Sequence, residues 1–461
     1  MHTFVRLLTL EPFERHPGRT FTAIGLALAT LYIAAFTVFP GRHGRIIEGD
    51  AIQYYAYLRS LVIDRDVDFT NDYQALYVPA DDGADNVWLK AQPATGRPPN
   101  LMSIGPALLW APAFMATYAT LALLGPLGIA IPLDGLAAPF LLSVGVAGIA
   151  YATLGAFFCY KSCRLLFASG PAFWAALVAW LATPAVYYSL ISPAYSHATS
   201  LFASALFCYV WLKTRGDERI RRVIWLGVLA GLATLVRWQD IVILVLPLSE
   251  FAWAFANGRS RLATSALRAG VMLGGVVTML LPQFFAWHAI YGHFFLIPQG
   301  GGFMQWTSPA LWSVLFSLRH GLFSWTPAVL VAVLGLYHVV RRDAVVGWSV
   351  AIVVLLAVYI NASVSDWWAG EAFGARRFVG YSVFFALGLA AIFARRLWEN
   401  RPALLRWTAL ALVVYNLLFL LQYQLFMRGF TQLAPYPTTI RQVFVDRLTL
   451  PWHLLRAWTG Y

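Results

Sequence analysis

The sequence predicts an all-α protein built as a polytopic bundle of transmembrane helices. Its composition is one reason, because 60% of the 461 residues are hydrophobic and only 12% are charged, which excludes an ordinary soluble globular protein. The other reason is spacing. Apolar runs of roughly 17 to 25 residues recur along the chain, the length that an α-helix needs to cross a bilayer and longer than the strands of a membrane barrel. The three cysteines contain no CxxC pair and indicate neither a disulfide framework nor a zinc site.

The first apolar run lies at about residues 20–39. It is long enough to span and lacks a small-x-small cleavage pattern, which favours a retained anchor over a cleaved signal peptide. Arg6, Arg15 and Arg19 precede it, so the positive-inside rule predicts a cytoplasmic N-terminus. Residues 41–136 then form a long first loop on the extracytoplasmic side.

A second apolar run, at 101–124, contains Pro106 and Pro112. If this run and the next one both crossed the membrane, Lys161 and Arg164 would lie outside, against the positive-inside rule. We therefore expect residues 101–124 to form an interfacial or re-entrant helix within the first loop.

The rest of the chain predicts ten further spans, which makes eleven in all. They lie at about 137–159, 171–188, 198–213, 223–236, 240–256, 270–290, 321–340, 345–362, 379–395 and 403–425. Basic residues cluster in alternate connections, so the net charge of +12 reflects topology and not nucleic-acid binding. The prediction is a single membrane domain over 1–461 with an extracytoplasmic C-terminal tail at 426–461, in a bacterial inner membrane.

The connections predicted to face outward carry polar and aromatic groups. These are, in chain order, Tyr195 and His197; Arg237 and Asp240; His293; His320; and Trp367, Trp368, Glu371, Arg376 and Arg377. Because five connections bring such groups to one face, the sequence predicts a site at the outer end of the bundle. We expect all of these residues except His293 to bind substrate.

Residues 48–73, at the start of the first loop, gather acids and tyrosines. We expect Asp50 to take part in the chemistry of the protein, because Glu48 and Gln53 lie beside it and the outer connections supply further polar groups. The structural alternative is that Asp50 caps the N-terminus of a helix that starts there. Glu48, Tyr54 and Tyr55 are candidates for contact with substrate.

Asp64, Asp66 and Asp68 are spaced so that, in a loop, they could surround a hard divalent cation. The run is not an EF-hand, because Phe69 occupies the position that needs glycine. A solvated loop in which the acids pair with nearby arginines is the alternative that we favour. The sequence therefore predicts no required cofactor, with these acids as weak candidates for a divalent cation.

Arg237, Arg376 and Arg377 lie at the predicted outer ends of spans. A guanidinium at the membrane edge suits a phosphate, which it holds through paired hydrogen bonds, whereas a single arginine often only extends its charge to the interface. Several arginines on the face that carries Asp50 favour phosphate binding. His197, His293 and His320 are further candidate donors for the anion, or else hydrogen-bonded interfacial histidines, and His197 is the strongest candidate of the three.

Five short stretches carry a resemblance to a known family. They are Glu48-Gly49-Asp50, Arg97-Pro98-Pro99, Thr183 to His197, Leu235-Val236-Arg237 and Trp367 to Arg377. Together they resemble the GT-C superfamily of integral membrane glycosyltransferases, in particular the group of protein O-mannosyltransferases and the lipid A aminoarabinose transferase. The resemblance implies a GT-C-like fold, Asp50 as base and Arg97 as a contact for a lipid phosphate. Many members have two neighbouring acids, whereas Gly49 separates Glu48 from Asp50 here.

The resemblance also implies a reaction. A sugar would move, with inversion, from a polyprenyl-phosphate donor to a hydroxyl of a glycan, lipid or protein acceptor at the extracytoplasmic face. The base would take the hydroxyl proton, while Arg237, Arg97 or Arg376 would stabilise charge on the leaving phosphate. Trp367 and Trp368 would flank the sugar, unless they belong to the interfacial aromatic belt.

A transporter or flippase of lipid-linked sugars is the alternative function. Such proteins place ionisable groups near the membrane midplane and show internal repeats. Here no repeat is visible and the charges lie at the ends of spans, with Glu250 as the main exception. A non-catalytic scaffold would leave the polar outer connections unexplained.

Overall fold

The computed structural model describes residues 10–38, 46–77, 90–370, 372–425, 437 and 439–459. Within these residues the regular structure is helical, and the β structure amounts to an isolated bridge between Met304 and Val364. The predicted all-α class is confirmed.

The first half of the chain forms helices that lead into and surround the N-terminal part of the bundle. They are α1 (Glu11–Arg15), α2 (Pro17–Val38), α3 (Asp50–Arg59), α4 (Thr70–Leu76), α5 (Gly105–Leu124), α6 (Ala138–Arg164), α7 (Ser169–Leu181), α8 (Tyr187–Leu190), α9 (Ser196–Lys213) and α10 (Ile220–Val236).

The second half completes the bundle. Its helices are α11 (Val245–Ala256), α12 (Leu262–Tyr291), α13 (Leu311–Phe316), α14 (Leu322–Trp325), α15 (Pro327–Arg342), α16 (Ala344–Ala362), α17 (Ser382–Phe393), α18 (Arg396–Glu399), α19 (Pro402–Gln422), α20 (Ile440–Phe444) and α21 (Asp446–Thr459).

Small residues on α6 let neighbouring segments approach it closely. A Cβ on Gly148 would overlap the carbonyl of Pro193, just before α9, and one on Gly155 would lie 2.8 Å from Leu201 of α9. Contacts of this kind join helices in a bilayer, where the lipid is as apolar as the side chains and hydrophobic burial gives no net driving force. They fix α9, whose first turn carries part of the predicted site.

Eight helical segments of the described chain are long and apolar enough to cross a membrane. They run over Pro17–Thr37, Gly105–Leu127, Ala138–Arg164, Trp238–Ala256, Leu262–Tyr291, Ala344–Ala362, Arg376–Phe393 and Pro402–Leu425. A ninth candidate is the pair Ser169–Leu181 and Pro184–Leu190, whose axes differ by 66°. The predicted span at 171–188 is thus bent.

The sequence predicted eleven spans, of which three are not among these nine candidates, whereas Gly105–Leu127 is an additional one. Those predicted at 223–236 and 321–340 correspond to α10 and α15, which have 17 and 16 residues. The one at 198–213 corresponds to α9, an 18-residue helix that contains His197 and several hydroxyl side chains. All three are helical parts of the bundle, but they are shorter or more polar than a typical span.

Helix α5, predicted to be interfacial or re-entrant, is itself long and apolar enough to span. The connection that follows it nevertheless returns to α3. Arg59 Nε donates to the carbonyl of Asp134 at 2.7 Å, and the Tyr55 hydroxyl donates to the carbonyl of Gly135. This connection therefore lies on the same side of the bundle as residues 46–77, which precede α5, as a re-entrant course requires.

The C-terminal helices α20 and α21 pack against the second half of α19. The Tyr415 hydroxyl donates to the carbonyl of Phe444 at 3.3 Å, and the Gln422 amide donates to that of Gln442 at 3.0 Å. The first residues of the predicted tail, 426–436, lie outside the described part of the chain.

Candidate functional site

Asp50 is the first residue of α3. Gly49, with φ of 55°, turns the chain into the helix and occupies the N-cap position, so the alternative that Asp50 is the cap is wrong. The Asp50 carboxylate instead forms an ion pair with Arg376, in which Oδ2 lies 2.9 Å from Nη1. The two side chains are 34% and 15% exposed, so the pair lies at an accessible edge of the bundle.

Arg376 begins a short 3-10 helix, Arg376–Tyr381, that leads into α17. Its guanidinium carbon lies 5.8 Å from the ring centroid of Tyr195, a cation–π contact. Gly49 makes room for this ring, because a Cβ there would lie 2.5 Å from the Tyr195 hydroxyl oxygen. Burial and then the charge of Asp50 raise the pKa of Tyr195 well above its usual value, so the hydroxyl stays protonated and remains a donor.

Ser196, the first residue of α9, joins two of the predicted site residues. Its Oγ hydrogen-bonds the hydroxyl of Tyr54 at 2.8 Å and accepts from Nη1 of Arg237 at 2.9 Å. Tyr54 lies one turn after Asp50 on α3, and Arg237 follows the end of α10. The serine hydroxyl therefore holds Arg237 beside the helix that carries Asp50.

His197 follows on α9 and is buried. Its ring centroid lies 4.2 Å from that of Tyr188 and 6.2 Å from that of Tyr195. Nδ1 has no hydrogen-bond partner among the described residues, a costly state for a buried polar atom. His197 belongs to the inner wall beside Tyr195, and its role as a donor to an anion stays a prediction.

Asp240 follows Arg237 by three residues and is fully buried. Its Oδ2 accepts from the hydroxyl of Ser200 at 2.6 Å, whereas Oδ1 has no partner in the described chain. Gly380 permits this close packing, because a Cβ there would overlap the Ser200 hydroxyl and lie 3.2 Å from the carboxylate. Asp240 therefore supports the site from the interior.

A second group of predicted residues surrounds a small recess beside Arg376. It is lined by His320, Asn361, Trp367, Trp368, Arg376 and Arg377. Arg377 is held there by an ion pair with Asp366, Nη2 to Oδ1 at 2.6 Å. His320 and Ala369 have φ of 63° and 60°, a left-handed conformation that is uncommon outside glycine.

His320 ties the two sides of this recess together. Its Nδ1 lies 2.7 Å from the carbonyl oxygen of Trp368. Burial lowers the pKa of His320 to about 4, so the ring is neutral at pH 7 and Nδ1–H is the donor. The neighbouring Arg319 guanidinium lies 4.4 Å from the Trp368 ring centroid, which orients the indole by a cation–π contact.

Other predicted residues have different surroundings. The hydroxyl of Tyr55 donates to the Gly135 carbonyl, and Nη1 of Arg97 donates to the Ala289 carbonyl of α12 at 2.8 Å. Glu48 is half-buried and adds to the raised pKa of Tyr195, which indicates that it lies near that ring. Glu371 lies outside the described residues.

The three weak metal candidates are engaged within their own loop. Asp64 accepts from Arg59 and Asn71, Asp66 from Ser60, and Asp68 from the amide and hydroxyl of Thr70. In the described segments no group of three His, Cys, Asp or Glu residues is placed to hold a metal ion. A divalent cation stays a prediction without a described site.

Sequence reasoning missed several residues that position the site. Ser196 holds Arg237, Asp366 pairs with Arg377, and the amide of Gln239 donates to the Arg377 carbonyl at 2.7 Å. Each is adjacent in sequence to a predicted residue: Ser196 to Tyr195 and His197, Gln239 to Asp240, and Asp366 to Trp367. Proximity to Tyr195, His197 and Trp367 was the available signal.

No protein-family model and no curated protein matches this chain. Among solved structures, it is similar to the archaeal oligosaccharyltransferase AglB from Archaeoglobus fulgidus, in complex with an inhibitory peptide and a dolichol-phosphate. The TM-score is 0.46 at 13% sequence identity, over 92% of this chain and 61% of that chain. This chain thus spans less than two thirds of that protein's length, and the functional interpretation rests on the site residues.

Proposed function

We propose that the protein is an integral membrane glycosyltransferase of the GT-C type. It would transfer a sugar from a polyprenyl-phosphate donor to an acceptor hydroxyl, with Asp50 as the general base. The observation that carries this proposal is the ion pair between Asp50 and Arg376 at an accessible edge, beside the Tyr54–Ser196–Arg237 chain of hydrogen bonds. A base and two guanidinium groups are thereby supplied from three separate parts of the chain.

In the proposed reaction, Asp50 receives the proton of the acceptor and the arginines face the charge on the leaving phosphate. The acceptor oxygen forms a bond to the anomeric carbon while its proton passes to the carboxylate of Asp50. The bond from the anomeric carbon to the phosphate oxygen breaks, and its electron pair leaves with the polyprenyl monophosphate. Direct displacement inverts the anomeric carbon.

Arg376 and Arg237 are suited to the leaving phosphate. Arg376 already contacts an anion, the carboxylate of Asp50, so a phosphate next to it adds a second acceptor for the same planar donor group. Arg237 uses Nη1 on Ser196, which fixes its orientation before substrate arrives. Donors that are held in place before charge develops are the effective form of electrostatic catalysis.

Trp367 and Trp368 are suited to flank the sugar at the mouth of the recess next to Arg376, whose own volume of about 10 Å³ holds roughly one water molecule. Trp367 and Trp368 line it together with His320, and aromatic faces with a few oriented polar groups are typical of sites for small polar ligands. The donor tail would lie in the bilayer and the acceptor, a glycan, lipid or protein, would approach from the extracytoplasmic side of a bacterial inner membrane.

The transporter alternative loses the charge that most favoured it. Glu250 accepts from Nη2 of Arg222 at 2.8 Å and from the indole nitrogen of Trp211 at 2.9 Å. Arg222 lies in the first turn of α10, at the end opposite to Arg237. Glu250 is therefore engaged in an ion pair at the end of α10 opposite to Arg237 and gives no specific support to a transporter.

The test is release of polyprenyl phosphate from short-chain polyprenyl-phosphate mannose, glucose and aminoarabinose by the purified protein. We expect the wild type to release the lipid phosphate from at least one donor when membrane extract is added as acceptor. Asp50→Asn should lose at least about 100-fold in rate, since a positioned base contributes on the order of 10²–10⁴.

The matched control is Asp68→Asn. Asp68 lies in the same loop, but in the described part of the chain its carboxylate accepts hydrogen bonds from Thr70 alone, so this variant should keep the wild-type rate. Full activity in Asp50→Asn, or no release from any of the donors by the wild type, would contradict the proposal.

A further inference from the structure

Arg447, in the first turn of α21, is fully buried. Its guanidinium carbon lies 3.7 Å from the ring centroid of Phe419 and 4.2 Å from that of Tyr415, both on α19. The side chain thus reaches from the C-terminal helix across the second half of α19.

All three guanidinium nitrogens of Arg447, Nε, Nη1 and Nη2, are buried without a hydrogen-bond partner among the described residues. Burial lowers the pKa of Arg447 to about 10, so the group is still a cation at neutral pH. Cation–π contacts with two rings compensate for only part of the lost hydration, and a buried cation without an anion or hydrogen bonds is strongly unfavourable. Among the described residues Arg447 is paired with no carboxylate.

A cavity adjoins this guanidinium. Its volume is about 190 Å³. Arg447 lines it together with Ala182, Trp325, Pro327, Leu412, Tyr415 and Asn416. A single water needs roughly 10–15 Å³ by the same kind of measure, so the cavity has room for a tetrahedral oxyanion and part of what it is attached to.

The residues that line the cavity further restrict the class of ligand that it can bind. Most lining side chains are apolar. The amide nitrogen of Asn416 is already used, donating to the carbonyls of Leu181 at 3.0 Å and Thr183 at 3.2 Å. One fixed cation with five N–H donors on an otherwise apolar lining suits an oxyanion that carries an apolar substituent, and arginine binds phosphate through such paired donors.

The cavity is separate from the Asp50–Arg376 pair. Phe419, on which Arg447 stacks, packs on Phe373 at 5.7 Å and on Trp325 at 4.7 Å between ring centroids. Trp325 in turn contacts His320 at 4.8 Å. These aromatic rings form a wall between the cavity and the recess beside Arg376.

We propose that the Arg447 cavity is a second anion site, which binds the phosphate group of a small phosphate ester or of an anionic phospholipid. The guanidinium of Arg447 holds the phosphate oxygens, and the apolar lining takes the adjoining carbon atoms. The site does not depend on the proposed transfer reaction, because it uses none of the residues assigned to that reaction.

The experiment measures thermal unfolding of the delipidated protein in a neutral detergent. The probes are inorganic phosphate, short-chain phosphatidic acid, and diacylglycerol as the lipid without phosphate. We expect phosphatidic acid to raise Tm by several degrees in the wild type, since a ligand that binds only the folded state stabilises it by mass action. Diacylglycerol should have no effect.

Arg447→Met should weaken phosphatidic acid binding at least about tenfold, while Arg456→Met should leave it unchanged. Arg456 is a matched control because it lies on the same helix and also stacks on an aromatic ring, that of Trp452 at 4.9 Å, but is exposed. If Arg447→Met fails to fold, Ala182→Leu tests the same cavity by filling it without removing the cation.

The probes also distinguish whether the phosphate belongs to a small molecule or to a lipid. Stabilisation by both inorganic phosphate and phosphatidic acid assigns the site to the phosphate group itself. Stabilisation by phosphatidic acid alone assigns it to a lipid. The shift should persist in Arg376→Gln, which separates this site from the proposed reaction site. No shift in the wild type, or an equal shift in Arg447→Met or Ala182→Leu, would overturn the proposal.

Discussion

Arg376, which begins the segment leading into α17, forms an ion pair with Asp50, the first residue of α3, in which Nη1 lies 2.9 Å from Oδ2. A partly exposed ion pair of this kind contributes little to folding stability, about 0–1 kcal/mol. Its main consequence is geometric, because it joins the first loop of the chain to the connection before α17. The same guanidinium also lies over Tyr195, so one planar group positions the proposed base and part of the wall around it.

Arg376→Lys should reduce the rate of sugar transfer by about 10²–10³, the range seen when a preorganised donor to a developing oxyanion is removed. Lysine keeps the charge but has a single compact ammonium, which cannot contact Asp50, the Tyr195 ring and a phosphate at once. The measurement is kcat, with KM determined separately, using the donor that the wild type accepts.

Arg319→Lys is the control for this substitution. Arg319 also lies over an aromatic ring, that of Trp368, but it makes no contact with Asp50 in the described structure. We expect a change of less than about tenfold in kcat there, since loss of a cation–π contact is worth roughly 0.5–1 kcal/mol. Equal losses in both variants would show that Arg376 acts only by packing.

Ser196→Ala should raise KM for the donor about tenfold and change kcat less, because a lost hydrogen bond to a charged group costs roughly 1.5–3 kcal/mol. The Ser196 hydroxyl holds Arg237 and Tyr54, and without it the guanidinium is no longer oriented before the phosphate binds. Steady-state kinetics with varied donor concentration gives both constants.

Ser204→Ala is matched to it on the same helix. The Ser204 hydroxyl is buried without a hydrogen-bond partner in the described part of the chain, so its removal leaves no group unpaired and should be neutral for activity and for Tm. If Ser196→Ala is also neutral, the hydrogen bond from Arg237 to Ser196 is not required for activity.

The sequence predicted the helical class and the residue types of the site because both depend on local composition. Apolar length predicts a helix in a membrane whatever its neighbours are, and polar groups at the ends of spans reveal which face carries chemistry. This is why Asp50, Arg237 and Arg376 could be chosen before their contacts were known.

Pairing between distant segments could not be predicted in this way. Nothing near Asp50 specifies that its partner is Arg376 and not Arg97, which donates to the Ala289 carbonyl instead. The burial of Arg447 is a similar case, because its position in a polar tail indicates exposure, whereas α21 inserts it against α19. Both results depend on tertiary packing, which local patterns do not encode.

Gly49→Ala should reduce transfer activity by at least about tenfold and lower Tm, because the backbone there is strained for any residue with a Cβ, at a cost of roughly 1–3 kcal/mol. A Cβ at residue 49 would also displace the Tyr195 hydroxyl, because the hydroxyl oxygen lies only 2.5 Å from the position that this Cβ would take. Displacement of Tyr195 moves the ring on which Arg376 lies. Activity and Tm are both measured in the same detergent.

Gly216→Ala separates these two effects. Gly216 also has a positive φ, 82°, but nothing lies within 4 Å of its ideal Cβ. We expect this variant to lower Tm without a loss of activity. Activity retained in Gly49→Ala would mean that the position of Tyr195 is not needed for transfer.

His320→Gln should make the protein less sensitive to acid. In the unfolded chain histidine titrates near pH 6.5, whereas burial lowers the pKa of folded His320 to about 4. Between these values the unfolded state binds a proton that the folded state does not, so the free energy of unfolding falls as the pH drops from 6.5 and levels off below 4. The whole loss is about 3 kcal/mol for a shift of this size.

The measurement is the difference in Tm between pH 7 and pH 4.5 in a neutral detergent. Glutamine can still donate to the Trp368 carbonyl but does not titrate, so the decrease in Tm on acidification should be smaller in His320→Gln than in the wild type. His293→Gln, at an exposed histidine, should show the full wild-type decrease. An equal decrease in all three proteins would mean that carboxylates, and not the buried imidazole beside Trp368, determine the acid limit of the fold.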